Sequence, residues 1–498
     1  MNFNLTISPA KDDLIFRQNS ALVKFFIDSE KLELLVDEFF LSLYYPLGKI
    51  QRKYFFDKKS DELIYHSQSG EPSIIFIKKI KLDKNISNDF FRNYFAGLIP
   101  SLKNKNVKTI HIVVPSYNDF KNYFENETHF LNTMLEGIHL GNYTFDVYKS
   151  GKESETGLNI CIHYSYQKML KKVIDSTKKL MKAVYFTRDL VNEPASTLTP
   201  DELAKRTAKY LSKLGIKVKV LNKVELSKRK MNAILAVGAA SVNPPCLINL
   251  HYKHPGKIKR KIALVGKGVC YDSGGLSIKP TSGMLDMNGD MAGGGAVIGV
   301  FMAAALLKLP LELIGVIPAV ENMVGGASFK PGDIIIAGSG KSIEVKDTDA
   351  EGRIILADAL YYASQFKPDE IIDFATLTGA CVVALGEIAA GLFTSNDKMA
   401  EKLLSSSTST FERIWRLPFW NDYKDMIKSD IADVSNLGPR WGGAITAGKF
   451  LEHFVDEKIP WAHLDIAGPA MKHKETNYTE KYSTGFGVRL IIDYLKRM

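Results

Sequence analysis

Asp347-Thr-Asp-Ala-Glu-Gly-Arg353 joins a predicted strand to a predicted helix, and the rest of the chain reads outward from it. Two acids alternate at Asp349 and Glu351. In an extended segment, residues i and i+2 project to the same side. Both carboxylates then reach one point, and Arg353 follows them. Gly352 lets the backbone bend or come close to a neighbour. Carboxylates this near repel, and one is pushed toward its protonated form unless a cation intervenes. Oxygen-rich clusters suit divalent ions, and an arginine beside them suits an anion. A solvated acidic turn is the alternative reading of these seven residues alone.

The upstream run Val265-Gly-Lys-Gly-Val-Cys-Tyr-Asp-Ser-Gly-Gly-Leu-Ser-Ile-Lys279 favours the first reading, with Asp290 following it. Residues 262–265 are a short apolar run of the kind that makes a buried strand. Lys267 stands between two glycines, and Asp272 precedes Gly274 and Gly275. Lysines among acids next to an apolar strand are unusual for a surface loop. Together the two stretches resemble the leucyl aminopeptidase family, the cytosol aminopeptidases with two metals per active site. The family heptapeptide begins with Asn; here Asp347 stands in its place. The resemblance is strong from about Arg188 to the C-terminus and weak before it.

That resemblance implies a ligand set and a mechanism. Lys267, Asp272, Asp290 and Glu351 match the ligands of the tightly held metal. Asp272, Asp349 and Glu351 match those of the more exchangeable one. Two divalent ions, Zn²⁺ or Mn²⁺, would nearly neutralise the four carboxylates and allow their burial. Lys267 would ligate only as the neutral amine; a salt bridge to the same acids is the alternative. Lys279 matches the donor to the developing oxyanion, and Arg353 matches the residue that holds a bicarbonate ion as proton relay. Simple pairing with the acidic cluster is the alternative for both. Met287, Thr376, Leu377, Gly379, Ala467 and Ala470 are candidates to line an apolar first-residue pocket, and such residues equally make plain core. Peptide substrates and a closed homohexamer are further implications.

At 498 residues the chain exceeds one ordinary core, so two domains are expected. A hydrophobic content of 45% with 24% charged residues excludes disordered and membrane-embedded classes. Cys161, Cys246, Cys270 and Cys381 are scattered without a C-x-x-C pair, which argues against a zinc finger or disulfide framework and fits a reducing compartment. No histidine lies between His254 and His453, which argues against a histidine-based zinc site at the motif and for carboxylate ligation. The first residues carry neither a basic n-region nor an apolar h-region, and the expectation is a cytoplasmic protein. Residues 296–307 are apolar over only about half a membrane span and read as a buried helix, with no membrane partner. The formal net charge of +10 is diffuse, and a nucleic-acid-binding role on a basic surface is the competing function.

Taken in order, residues 1–165 read as a small α/β domain with no cluster of catalytic residue types. Residues 32–43 have helical spacing, and residues 73–77 and 110–114 read as strands. Residues 166–192 form an amphipathic linker helix. Thr199, Pro200 and Glu202 read as a capping box that opens a helix ending at Gly215. From there to residue 498, strands and helices alternate: 217–221, 262–265, 290–307, 312–319, 354–364 and 370–374. This predicts an α/β fold, with the smaller N-terminal α/β domain followed by a larger catalytic domain over 193–498 whose mostly parallel sheet is flanked by helices. Ligands in such sheets gather beyond the carboxyl ends of the strands, where the motif residues fall. Gly266-Lys-Gly268 is not a dinucleotide loop, because Tyr271 takes the place of the third glycine. Gly338–Ser342 is not a P-loop, because Ile335 replaces its first glycine.

Overall fold

The computed structural model describes residues 5–498 apart from 11–18, 44, 46, 58–59, 68–71, 84–85, 104, 151–156, 475 and 479–481. The chain start, read above for a targeting segment, therefore lies partly outside the described residues. The fold is α/β, in two compact units, Met1–Met181 and Lys182–Met498. The division falls within one helix, Gln167–Asn192.

In the N-terminal unit the described strands form one sheet in the order Leu5–Pro9, Leu158–His163, Thr109–Val113, Ser20–Ile27, Ile74–Ile80, Glu62–His66. Only the last pairing is antiparallel. Side chains alternate across the strands. Ala21, Val23 and Phe25 pack with helices Phe90–Lys103 and Glu127–Leu140 on one face. Leu22 and Phe26 pack with helix Leu32–Ser42 on the other.

The larger unit holds a nine-stranded sheet among the described residues. Its order is Ile414–Arg416, Ala390–Phe393, Trp461–Asp465, Glu370–Ala375, Lys261–Gly266, Glu312–Asn322, Cys246–Lys253, Lys217–Leu221. Gly268–Asp272 pairs along the upper half of Glu312–Asn322. The four central strands run parallel; antiparallel pairings sit toward the edges. Ala263 and Val265 join the apolar cluster of helix Glu351–Ser364. Gly266, on the opposite side of the same strand, touches the backbone of Gly293 and Gly294 in helix Ala292–Leu307. The two helices therefore cover opposite faces, as parallel strands buried on both sides require.

Helix Ala292–Leu307 is buried without a break from Ala292 to Ala304. The stretch Thr281–Leu307 is long and apolar enough to cross a membrane by composition, yet 83% of its most apolar window lies inside the structure. It is a core helix. Its start differs from the sequence expectation: Met287–Met291, which carries Asp290, is a 3₁₀ turn, and the α-helix begins only at Ala292. The capping box at Thr199 is also half made. Thr199 Oγ1 accepts from the Glu202 N–H at 3.4 Å, but the Glu202 carboxylate takes Arg206 Nε at 2.7 Å instead of reaching back. Gly215 closes that segment with a left-handed φ of 78°, as read.

The start of the core helix is stitched to the strand ends by main chain. Gly294 N–H donates to the Lys267 carbonyl at 2.7 Å, and Lys267 N–H donates to the Phe374 carbonyl at 2.9 Å. A methyl group on Gly293 would collide with that same Phe374 oxygen and lie 3.0 Å from Lys267 N. The obstacle is backbone and cannot rotate away. Gly293→Ala is expected to cost about 1–3 kcal/mol or more by overpacking. Urea unfolding should show the loss as a lower midpoint with an unchanged slope.

Candidate metal centre and active site

The carboxyl ends of the parallel strands deliver the predicted residues to one place. Lys267 follows Lys261–Gly266, Asp272 ends Gly268–Asp272, and Glu351 is the first residue of its helix. Asp290 comes from the 3₁₀ turn. One carboxylate oxygen each from Asp272, Asp290 and Glu351 lies within 4.8 Å of the others, and all three residues are buried.

Two lysines answer these acids. Lys267 Nζ is 2.8 Å from Asp290 Oδ2 and 2.8 Å from Glu351 Oε1, and it donates to the Thr376 carbonyl at 3.1 Å. Lys279 Nζ is 2.9 Å from Asp272 Oδ2 and 2.5 Å from Asp349 Oδ1. Burial works against the charge on both lysines, but the facing carboxylates outweigh it and raise both pKa values. Burial also pushes up the carboxyls of Asp290 and Glu351, with Asp272 adding repulsion and Lys267 opposing it. Asp290 Oδ2, Glu351 Oε1 and Asp349 Oδ1 are buried beside an ammonium yet have no directed hydrogen bond. Four carboxylates against two ammoniums, with three such oxygens, are a donor set that fits divalent cations.

The heptapeptide is not extended. Asp349 lies in a turn, and Glu351 to Arg353 are the first turn of the helix. The alternating acids therefore diverge: Asp349 goes to Lys279 and Glu351 to Lys267. The turn itself explains Asp347. Its Oδ1 accepts from the Asp349 N–H at 2.8 Å, a bond that Asn makes equally well. Gly352 has a specific role: a Cβ there would lie 2.5 Å from Lys267 Cε. Gly274 and Gly275 adopt left-handed φ values of 85° and 64°, which turn the chain from Asp272 toward Lys279.

Arg353 is buried. Nη1 donates to the Asn436 carbonyl at 2.8 Å, while Nε has no partner. Burial lowers its pKa to about 10, against the pull of Glu351, Asp465 and Asp347. Among the pocket candidates, Met287 lies in the 3₁₀ turn, Thr376 and Leu377 follow strand Glu370–Ala375, and Gly379 opens helix Gly379–Leu385. Thr376 Oγ1 donates to Asp290 Oδ1 at 2.7 Å. Ala467 and Ala470 follow strand Trp461–Asp465; Ala470 is buried, while Ala467 and Leu377 are half-buried.

Three supporting residues escaped the sequence reading. Asn322 Nδ2 donates to Asp272 Oδ1 at 2.8 Å and to the Thr348 carbonyl at 3.0 Å. Thr348 Oγ1 donates to the Gly274 carbonyl at 2.7 Å and accepts from Ser277 N–H at 2.8 Å. Asn436 Nδ2 donates to the Asp347 carbonyl at 2.6 Å, and its Oδ1 accepts from Lys346 N–H at 2.7 Å. Thr348 was visible inside the heptapeptide; the two asparagines carry no local signal.

Comparison with known proteins now bears on this arrangement. The pattern of the cytosol aminopeptidase family, catalytic domain, matches residues 185–492, which contain every residue of the cluster. The chain belongs to the cytosol aminopeptidase family. As a member it is an aminopeptidase, a hydrolase that depends on metal. A probable cytosol aminopeptidase of Persephonella marina is 40% identical over 499 residues, covering 99% of each chain. A mutant of tomato leucine aminopeptidase superposes with a TM-score of 0.87 at 31% identity, over 99% of this chain and 97% of that one. The bottromycin maturation enzyme BotP in complex with Mn superposes with a TM-score of 0.83 at 29% identity, over 96% of this chain and 99% of that one.

The Asp347 bond to the turn gives a direct expectation. Asp347→Asn keeps the acceptor and should unfold like the wild type. Asp347→Ala leaves the Asp349 N–H without it and should lose about 1 kcal/mol, read from denaturant midpoints.

Proposed function

We propose that this protein removes the N-terminal residue from peptides, with leucine and other apolar residues preferred, using two divalent ions per chain. The observation that carries the reading is a set of four carboxylates, three buried and Asp349 half-buried, answered by only two lysines. Lys267, Asp272, Asp290 and Glu351 would hold one ion, and Asp272, Asp349 and Glu351 the other. Zn²⁺ or Mn²⁺ bound there supplies Lewis acidity that polarises the scissile carbonyl and acidifies a water. The Mn complex of BotP supports manganese as one candidate.

The chain's own groups supply the rest. Lys267 would hold an ion only as the neutral amine; its ion pairs with Asp290 and Glu351 favour the charged form. Lys279 keeps its proton and donates to the oxygen that gains charge as water adds to the carbonyl. Arg353 stays charged at neutral pH, since its pKa of about 10 lies well above it, so it is not the base. Its buried, unpartnered Nε is a donor for a small anion, and bicarbonate in the role of proton relay suits it. Met287, Thr376, Leu377, Gly379, Ala467 and Ala470 line the pocket for the first side chain. The tomato relative's name, leucine aminopeptidase, supports an apolar preference. The proposal extends to a cytoplasmic homohexamer, in which residues 1–165 help to build the assembly and residues 166–192 link them to the catalytic domain, 193–498.

The test is hydrolysis of leucyl amide by chelator-treated protein with Zn²⁺, Mn²⁺ or Co²⁺ added back. Activity should vanish on chelation and return with metal; full turnover by metal-free protein sinks the reading. Glu351→Gln should fold and stay inactive after metal is restored. Lys279→Ala should lower kcat by about 10²–10³-fold, the loss of one oxyanion donor. A change confined to KM would assign Lys279 to ground-state binding instead.

A further inference from the structure

We propose that Asp465 is a positioning residue that sets the spacing between the two walls of the first-residue pocket. The inference rests on the pocket described under the proposed function and deepens it. Asp465 ends strand Trp461–Asp465 and is fully buried. Its neighbour in the sheet is Ala375, the last residue of strand Glu370–Ala375. The two chains leave these strand ends separately. One runs through Thr376, Leu377 and Gly379; the other runs through Ala467 to Ala470.

A single carboxylate ties them together. Oδ1 accepts from the Leu377 N–H at 3.1 Å and from the Ala467 N–H at 3.2 Å. One oxygen thus holds one main-chain donor from each wall. Oδ2 accepts from Thr378 Oγ1 at 2.6 Å. That bond commits the hydroxyl proton to Asp465 and leaves a lone pair free. The lone pair accepts from the Cys381 N–H at 3.0 Å and caps the helix that begins at Gly379. Spacing of the walls and start of that helix therefore depend on the same side chain.

Arg353 interacts electrostatically with Asp465. Burial works against a charge on His463, while Asp373 foremost, and Asp465 after it, raise its pKa. His463 is held by Asp373, with Nδ1 2.6 Å from Oδ1, while Trp461 Nε1 donates to Asp373 Oδ2 at 2.7 Å. An ionised carboxylate makes stronger hydrogen bonds than a neutral acceptor does. Asn at this position keeps one oxygen but exchanges the other acceptor for a donor, which then faces the Thr378 hydroxyl. The walls would still form but would be held less closely. Such looseness weakens substrate and transition state alike, so it appears in KM and spares kcat.

The experiment compares Asp465→Asn, Thr378→Val and Thr378→Ser with the wild type, all as metal-loaded full-length chain. Steady-state kinetics are measured on leucyl, methionyl, alanyl and arginyl amides, and metal is counted by elemental analysis. Asp465→Asn and Thr378→Val should each raise KM about tenfold, the size of one hydrogen bond to a charged group, with kcat little changed. Metal content should match the wild type, and Thr378→Ser should retain the wild-type KM. Unchanged KM in both variants, or a fall in kcat accompanied by lost metal, overturns the proposal. Should Asp465→Asn fail to fold, Thr378→Val with its serine control decides alone. The wild type's own ranking of the amides tests the apolar preference. Asp465 is judged on whichever amide ranks first, so an error in substrate class would not be mistaken for an error in positioning.

Discussion

Three carboxylates withdrawn from water, with Asp349 half-buried beside them, have to be answered by positive charge, and that requirement organises the catalytic unit. Each uncompensated buried ion costs several kcal/mol. Lys267 and Lys279 answer the acids in two separate pairs of contacts, one with Asp290 and Glu351, the other with Asp272 and Asp349. The surrounding backbone serves this pairing. Gly352 is bare where the stem of Lys267 passes, and Gly274 and Gly275 bring Lys279 back over Asp272. Asn322, with the Gly274 N–H, donates to the other oxygen of Asp272 and ties it to the heptapeptide turn.

The parallel sheet makes this economy of charge geometrically feasible. Strands Lys261–Gly266, Glu370–Ala375 and Trp461–Asp465 point the same way, so their last residues share one edge. Lys267 is bonded through its main chain both to Phe374 and to Gly294, which ties the end of one strand to the next strand and to the core helix. Beyond that edge, Thr376 bonds to Asp290, and Asp465 ties the segment after strand Glu370–Ala375 to the segment after strand Trp461–Asp465. A shift at any one strand end is felt at the others.

Much of this could be read from the sequence, for identifiable reasons. The apolar runs at 262–265 and 370–374 have the continuous character of strands buried on both faces, and they became central strands. The acids and lysines were marked by their glycine neighbours and their spacing. The alternating acids of the heptapeptide are compatible with an extended segment, but the Asp347 side chain folds back on the Asp349 N–H and starts a turn, which alternation alone does not reveal. Asn436 meets Asp347 across 89 residues, and Asp465 meets Leu377 across 88. Nothing in the local composition of such residues announces a partner so distant. The 3₁₀ turn at Asp290 was hidden by the unbroken apolar run that follows it.

Helix Ala292–Leu307 has no face turned to water over its first thirteen residues, and several of its glycines touch neighbouring backbone or side chains directly. That leaves the helix almost no neutral substitutions to explore. Drift and adaptation are then confined to the segments around it, where side chains rather than main chain set the contacts. The segments after strands Glu370–Ala375 and Trp461–Asp465 are held largely through side chains such as Thr376 and Asp465, so they can change where the helix cannot.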